Sequence, residues 1–212
     1  MPKYLTEFIG TFFLTLTACL TVTPGDRPIP ALAIGSALMI MVYMGGHISG
    51  AHYNPAVSLA LFLRKKFPSA DFVPYVISQL LGATAAAWIA YLVLGKTIAV
   101  APASGVSVTI ALLVEALFTF ALALTVLNVA CSEKTKGNSF YGLAIGFTIV
   151  VALFAGGPIS GGAFNPAVGT GPNVVNAVFG GGSWGTIWIY YVGPLIGGAV
   201  AATVFGIQEG VA

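Results

Sequence analysis

The chain has 212 residues, of which 58% are hydrophobic and 7% are charged, and its formal net charge is +2. Soluble domains carry about 25% charged residues, so this chain cannot cover a water-exposed surface with ionised groups and its surroundings must be lipid. The high hydrophobicity excludes a disordered chain, and the small net charge gives no reason to expect nucleic acid as a partner.

Six apolar stretches are long enough to cross a bilayer, since a spanning helix needs about 20 mostly apolar residues. They lie near residues 4–22, 30–46, 71–94, 107–130, 140–157 and 185–207. Two shorter apolar pieces, about 54–63 and 165–178, each begin at an Asn-Pro-Ala. They are too short to cross, and we predict that they are re-entrant half-helices.

The distribution of cationic residues predicts the orientation, because Lys and Arg accumulate in short cytoplasmic loops. With the N-terminus inside, the outer side receives only Arg27 and Lys96. The inner side receives Lys3, Arg64, Lys65, Lys66, Lys134 and Lys136. We therefore expect a multi-pass integral protein of the cell (inner) membrane with both termini in the cytoplasm.

The chain contains an internal repeat. HISGAHYNPAV (47–57) matches PISGGAFNPAV (158–168), TEFIGTFFLTLT (6–17) parallels VEALFTFALALT (114–125), and YVISQLLGATAAA (75–87) parallels YYVGPLIGGAVAA (190–202). Each half has three spans, an odd number, so the second half must enter the membrane upside down, which places a site near the midplane. The expected fold is an all-α membrane protein with six transmembrane helices plus two re-entrant half-helices in an inverted 3+3 repeat. It forms one domain over 1–212, with halves of about 1–100 and 101–212.

Each Asn-Pro-Ala has the chemistry of a helix start, because Asn caps free N–H groups and Pro is tolerated at the first helical position. Since the halves are inverted, the two half-helix N-termini can meet in mid-membrane, each with about half a positive charge. The predicted pore centre is Asn54, Pro55, Ala56, Asn165, Pro166 and Ala167. The preceding loops would line the pore with the carbonyl oxygens of Gly50, Ala51, His52, Tyr53, Gly161, Gly162, Ala163 and Phe164.

These segments make the chain similar to the aquaporins, the major intrinsic protein family of channels for water and small neutral solutes. The resemblance rests on TEFIGTFF (6–13), GHISGAHYNPAV (46–57), the Glu of VEALFTF at 115, NPAV (165–168) and YVGPLIGG (191–198). It implies a homotetramer with one pore in each subunit, and it implies that Glu7 and Glu115 brace the re-entrant loops.

A glutamate in an apolar span is costly and usually faces a partner inside the bundle, which agrees with a bracing role. A proton relay is the alternative for Glu7 and Glu115, although no chain of acids or histidines connects them. His47 and His52 flank the first loop, and we expect their rings to fix its backbone by hydrogen bonds, with a pH gate as the alternative.

The sequence departs from the family at the outer filter, where most members carry an Arg directly after the second Asn-Pro-Ala. That position is Val168, and the family's other filter positions, carried over by offset from the asparagines, are Ile34, Leu153 and Gly162. This aliphatic ring offers no side-chain donor to a permeant molecule, and a narrow apolar constriction can gate by dewetting.

The predicted function is a passive channel for water, with glycerol, urea and ammonia as further candidate solutes. The alternatives are a neutral-solute or gas channel with little water flux, an ion- or proton-coupled secondary transporter, and a structural membrane protein whose pore is closed. Coupling would need a titratable or sodium-binding cluster at mid-membrane. We expect no enzymatic activity, cofactor or metal site, because the chain lacks a catalytic pair, a metal cluster and a phosphate-binding loop.

Overall fold

The computed structural model describes residues 1–22 and 29–210, and over these ranges it contains eight α-helices and no strand. They are α1 (Pro2–Thr21), α2 (Pro30–Ser49), α3 (Pro55–Leu63), α4 (Phe72–Leu94), α5 (Val108–Val126), α6 (Tyr141–Ser160), α7 (Pro166–Phe179) and α8 (Ile189–Glu209). All except the short α3 and α7 are long and apolar enough to span a bilayer. The predicted all-α architecture is confirmed.

The helix ends differ from the predicted limits where glycine or turn chemistry decides them. α2 and α6 run three residues beyond the predicted ends at 46 and 157, and each stops before a glycine in the left-handed conformation, Gly50 (φ +84°) or Gly161 (φ +93°). Glycine adopts this conformation without steric cost and commonly ends a helix. α8 begins at Ile189 instead of 185, after a run of tight turns that starts at Trp184.

Helix packing repeats between the two halves. α1 packs on α4 as α5 packs on α8, while α2 packs on α6 and joins the halves. Gly82 and Gly197 occupy equivalent places in these pairs, and a Cβ on either would collide with a backbone carbonyl of the facing helix, that of Phe8 or Ala116. Small residues therefore let the helix backbones approach closely.

Each short helix packs mainly on a long helix of the other half, α3 on α8 and α7 on α4. A Cβ on Gly198 of α8 would lie 2.5 Å from the carbonyl oxygen of Ala56, and one on Gly171 of α7 would touch the backbone of Ala83. The two half-helices thus exchange partners between the repeats and lock them together.

One end of the bundle, which we call the basic end, gathers most of the cationic side chains together with the start of α1 and the end of α8. Its contacts are Lys3 Nζ–Asp71 Oδ2 (2.6 Å), Lys66 Nζ–Cys131 O (3.1 Å) and Lys134 Nζ–Glu209 Oε1 (3.4 Å). α3 runs from the middle of the bundle to this end. α7 runs the opposite way, to where Thr97 donates to Asn176 Oδ1 (2.7 Å). Of the two residues predicted on the far side, Lys96 neighbours Thr97, and Arg27 lies outside the described residues.

Candidate channel and its re-entrant loops

The first Asn-Pro-Ala begins α3, as its chemistry predicts. Asn54 is extended, its Oδ1 accepts from the N–H of Ala56 (2.8 Å), and Pro55 takes the first helical position. The Asn54 amide also donates across the repeat to the carbonyl oxygen of Phe164 (2.9 Å). One side chain therefore caps its own half-helix and binds the loop that leads into the other.

The second motif repeats this geometry. Asn165 Oδ1 accepts from Ala167 N–H (2.9 Å), Pro166 begins α7, and the Asn165 amide donates to the carbonyl oxygen of Tyr53 (2.8 Å). An amide nitrogen carries two hydrogens, so each asparagine keeps one N–H after bonding the opposite loop. The structure thus brings the two half-helix N-termini together.

The two cross-repeat bonds change the expectation for two of the predicted carbonyls. The oxygens of Tyr53 and Phe164 are already engaged by asparagine amides, so each keeps a single lone pair for a permeating molecule. Both residues are fully buried, and the Tyr53 hydroxyl donates to the carbonyl oxygen of Met41 (2.9 Å). The remaining predicted carbonyls belong to loop residues that line the cavities described below.

Glu7 accepts four hydrogen bonds at the first loop. Its Oε1 accepts from Ser49 Oγ (2.8 Å) and His52 N–H (2.9 Å), and its Oε2 accepts from Tyr53 N–H (2.7 Å) and Gln79 Nε2 (2.8 Å). The carboxylate is fully buried, so these four donors fill its acceptor positions inside the bundle.

Glu115 holds the second loop in the same way. It accepts from Ser160 Oγ (2.7 Å), Ala163 N–H (3.1 Å) and Phe164 N–H (2.6 Å), and it is fully buried. Phe164 has a φ of +48°, a left-handed conformation that costs a non-glycine residue about 1–3 kcal/mol. Bonds to a charged acceptor offset that strain.

Sequence reasoning did not single out several loop-holding side chains. Tyr75 and Tyr190, at equivalent places in the repeat, donate to the carbonyl oxygens of Ser49 (2.7 Å) and Ser160 (2.6 Å). The shared Ile-Ser-Gly and the aligned tyrosines were signals that could have found them. Gln79 has no polar counterpart in the second half and gave no such signal.

His47 is placed differently from the expectation that it braces the loop. It lies exposed in the last turn of α2, and none of the hydrogen bonds between described residues joins its ring to the loop. His52 is the histidine that is turned inward, with its Nδ1 3.0 Å from Ser58 Oγ. The last turn of α2 carries His47 away from the loop, whereas the re-entrant backbone folds His52 into the bundle.

Two cavities run toward each other through the bundle. The central cavity, about 380 Å³, contains both pore asparagines and opens away from the basic end, and the basal cavity, about 490 Å³, opens at the basic end. His52, Val126 and Ile145 line both cavities. Among the described residues, no charged side chain lines the central cavity. The two cavities therefore outline a route past the half-helix ends that is uncharged in the central cavity, whereas Lys66, Glu133 and Lys136 line the basal cavity.

The four predicted filter residues, Ile34, Leu153, Gly162 and Val168, all line the central cavity. Leu153 is adjacent to Gly162, since a Cβ at Gly162 would lie 2.9 Å from Leu153 Cδ2. Leu153 therefore fills the space that a larger residue at 162 would need. The side chains of this ring are aliphatic throughout.

Six long apolar helices that enclose two oppositely directed half-helices and an uncharged central cavity define a transmembrane channel. The sequence profile of the major intrinsic protein family matches residues 1–205. The chain belongs to the major intrinsic protein family, whose members are passive channels for water and small solutes and are not enzymes.

Named relatives agree with this assignment. The chain is 37% identical to aquaporin NIP1-1 of Zea mays, over 98% of this chain and 74% of that protein. It is 36% identical to aquaporin AqpM of Methanothermobacter thermautotrophicus, over 96% and 95% of the two chains. The X-ray structure of the aquaglyceroporin from Plasmodium falciparum has the same fold, with a TM-score of 0.84 over 96% and 94% of the two chains at 24% identity.

Proposed function

We propose that the chain conducts water together with small uncharged solutes such as glycerol, urea and ammonia, and that the aliphatic ring sets which solutes pass. One observation carries the proposal: both asparagines and the four filter positions line the same cavity, which has no charged lining residue among those described. A neutral molecule can exchange hydrogen bonds along this cavity without meeting a fixed charge.

The half-helix ends supply the selectivity against cations. Each N-terminus carries about half a positive charge from aligned peptide dipoles, and each asparagine has one N–H beyond its bond to the opposite loop. A water or hydroxyl oxygen can accept from these donors. A cation meets the positive ends of dipoles and donor hydrogens there, and the single lone pairs left on the Tyr53 and Phe164 carbonyl oxygens do not replace its hydration shell.

The filter sets the polarity of the outer constriction. Ile34, Leu153 and Val168 present only methyl groups, and Gly162 presents backbone. The side chains of the ring therefore cannot replace the hydrogen bonds that a solute loses when it sheds water to cross it. This favours less polar solutes relative to water. It also supports a second candidate, a neutral-solute or gas channel with little water flux, because an apolar constriction can dewet.

Stopped-flow shrinkage and swelling of liposomes that carry the protein test the proposal. Water, glycerol, urea and ammonia are compared for the wild type, Val168→Arg and Val168→Leu. Arg narrows the ring and adds fixed donors, whereas Leu narrows it without charge, so Arg should lower glycerol and urea flux relative to water more than Leu does. Unchanged selectivity in Val168→Arg would reject the assigned filter.

The same liposomes separate the channel from its alternatives. A channel gives solute flux well above that of empty liposomes, with a low activation energy and no dependence on an ion gradient. A coupled transporter would respond to an imposed sodium or proton gradient, and a closed structural protein would give no flux. Water flux at the level of empty liposomes with preserved ammonia flux would select the gas-type candidate.

We further propose that both termini face the cytoplasm and that the protein is a homotetramer. The basic end carries Lys3, Lys66 and Lys134, as expected for a cytoplasmic face. The resemblance to the family supports the tetramer. Protease access to a C-terminal tag in right-side-out and inverted vesicles tests the first, and crosslinking in lipid followed by mass measurement tests the second.

A further inference from the structure

The first re-entrant loop is connected to a buried chain of polar side chains. His52 Nδ1 lies 3.0 Å from Ser58 Oγ, Gln79 Nε2 lies 3.0 Å from the same Ser58 oxygen, and Gln79 Nε2 lies 2.8 Å from Glu7 Oε2. All four residues are buried, and His52, at 4% exposure, is the most exposed of them. This series of hydrogen bonds ends at the imidazole ring of His52, a residue that lines both cavities.

The described part of the second half has no equivalent series of hydrogen bonds. The offset between the two asparagines places Ala163 opposite His52 and Gly169 opposite Ser58, and the aligned tyrosines place Pro194 opposite Gln79. Within residues 1–22 and 29–210, Glu115 therefore bonds only its own loop and Ser160. The re-entrant loop is held in both halves, but, among the residues described, the series of hydrogen bonds from Glu7 to His52 occurs in the first half only. Support of the loop therefore does not by itself account for this series.

Counting donors at Glu7 determines which way the Gln79 amide faces. An ionised carboxylate has only acceptor oxygens, so the fourth partner of Glu7, beside Ser49 Oγ and the N–H groups of His52 and Tyr53, must also be a donor. Gln79 therefore turns its NH₂ group, and not its carbonyl oxygen, toward Glu7. The second hydrogen of that NH₂ group points at Ser58 Oγ.

The same counting of donors and acceptors then shows which ring nitrogen of His52 carries the hydrogen. Ser58 Oγ accepts from Gln79, and among the described residues its own hydrogen has no acceptor other than His52 Nδ1. A neutral imidazole carries its hydrogen on one nitrogen only, and no carboxylate oxygen among the described residues bonds to this buried ring. If Nδ1 accepts, the hydrogen must be on Nε2.

We propose that Gln79 and Ser58 are positioning residues that hold His52 in the Nε2–H tautomer, so that the ring presents a fixed donor where the two cavities meet. Edge contact with Phe67 (ring centroids 4.8 Å apart) and packing on Tyr75 (5.0 Å) fix the ring plane. A Cβ at Gly50, which lines the basal cavity, would lie 3.2 Å from Nε2. The Nε2 edge therefore lies beside Gly50 at the basal cavity, which His52 also lines.

This inference deepens the proposed function and gives the route a third donor in addition to the asparagine amides. It makes the two sides of the pore centre unequal, because Ala163 takes the place of His52 in the second half. Permeating oxygens would be oriented by a donor on the basal side of the asparagines. That is a polar contact in a route whose filter has none.

Solid-state NMR of the full chain in lipid bilayers, labelled with ¹⁵N in histidine only, tests the assignment. The chain has two histidines, so His47→Gln removes the other residue's signals and identifies those of His52. We expect a non-protonated Nδ1 and a protonated Nε2 for His52 in the wild type. In Gln79→Met, and again in Ser58→Ala, this single-tautomer pattern should be lost, with signals from both tautomers.

A protonated Nδ1 in the wild type overturns the inference, as does an unchanged His52 pattern in both variants. If Gln79→Met does not fold, the wild-type and Ser58→Ala spectra decide alone. Flux measured on the same liposomes keeps this separate from the proposed function. A conducting protein with a protonated Nδ1 refutes only the tautomer, and a silent protein with the expected spectrum refutes only the channel.

Discussion

Replacing Glu115 by Gln tests whether a buried carboxylate holds the second re-entrant loop in place. The change keeps the side chain's size and removes one acceptor oxygen and the charge. The wild-type carboxylate receives Ser160 Oγ on one oxygen together with Ala163 N–H, and Phe164 N–H on the other. In Glu115→Gln, the new NH₂ group must face one of these sets of donors.

The expected loss in the free energy of unfolding follows from the less damaging orientation of the new amide group in Glu115→Gln. With the NH₂ group directed at Phe164, one buried N–H loses its acceptor, which costs about 1–3 kcal/mol, and the other two bonds lose their charge assistance. The left-handed Phe164 backbone also loses the bond that offsets its strain. We expect a loss of about 2–4 kcal/mol in the free energy of unfolding.

Denaturant titration in detergent micelles measures the free energy, and liposome shrinkage measures osmotic water flux. Glu133→Gln is the matched control, because the Glu133 side chain is 78% exposed and, of the described residues, pairs only with Lys136 three residues on. Exposed pairs contribute little, so this control should behave like the wild type in both assays. Glu115→Gln should be destabilised and should conduct less water per folded protein.

Equal stability and flux in Glu115→Gln and Glu133→Gln would refute the reasoning that the loop depends on the carboxylate. It would mean that the freed amides find water in the cavity at no cost. A destabilised Glu115→Gln with full conductance would show that the brace supports folding and not the shape of the pore.

Two further substitutions test other contacts. Gly162→Ala should reduce solute flux several-fold, because its Cβ would lie 2.9 Å from a filter side chain at a φ of +68°; Gly105→Ala, also at positive φ but with nothing within 4 Å, shares the strain without the obstruction and should leave flux unchanged. Equal flux in the two would remove Gly162 from the filter. Asn173→Ala should speed hydrogen exchange at the Val100 amide about tenfold, because Asn173 Oδ1 accepts from it (3.0 Å) and Nδ2 donates to its carbonyl oxygen (2.9 Å). Unchanged exchange at Val100 would show that the backbone at Val100 is held by other contacts.

Local chemistry made the half-helices predictable. Asn54 and Asn165 cap the helices that they begin, and this depends only on residues two or three positions along the chain. The six spans follow from length and hydropathy in the same way. Helix ends were less accurate, because counting apolar residues does not reveal that Gly50 and Gly161 adopt the left-handed conformation that stops α2 and α6.

The histidines show where local reasoning stops. His47 and His52 are five residues apart in one polar stretch, and the pattern assigned both to the loop. Only the path of the backbone separates them, since one ends a helix and the other follows a left-handed Gly50 and Ala51 into the bundle. The backbone turn between the two histidines therefore decides which imidazole ring is buried in the protein.

By itself, the sequence determined that the protein lies in a lipid bilayer and crosses it six times. It also determined that two inverted halves each start a short helix at an asparagine. Hydropathy, odd span number and capping are local or additive properties, so they can be read along the chain. The tertiary structure decided the contacts between residues far apart: the asparagine amides that bind opposite loops, the exchange of half-helices between repeats, and the Gln79 chain behind His52. Those contacts depend on how the two halves pack against each other. The spacing of residues along the sequence does not show which distant residues come into contact.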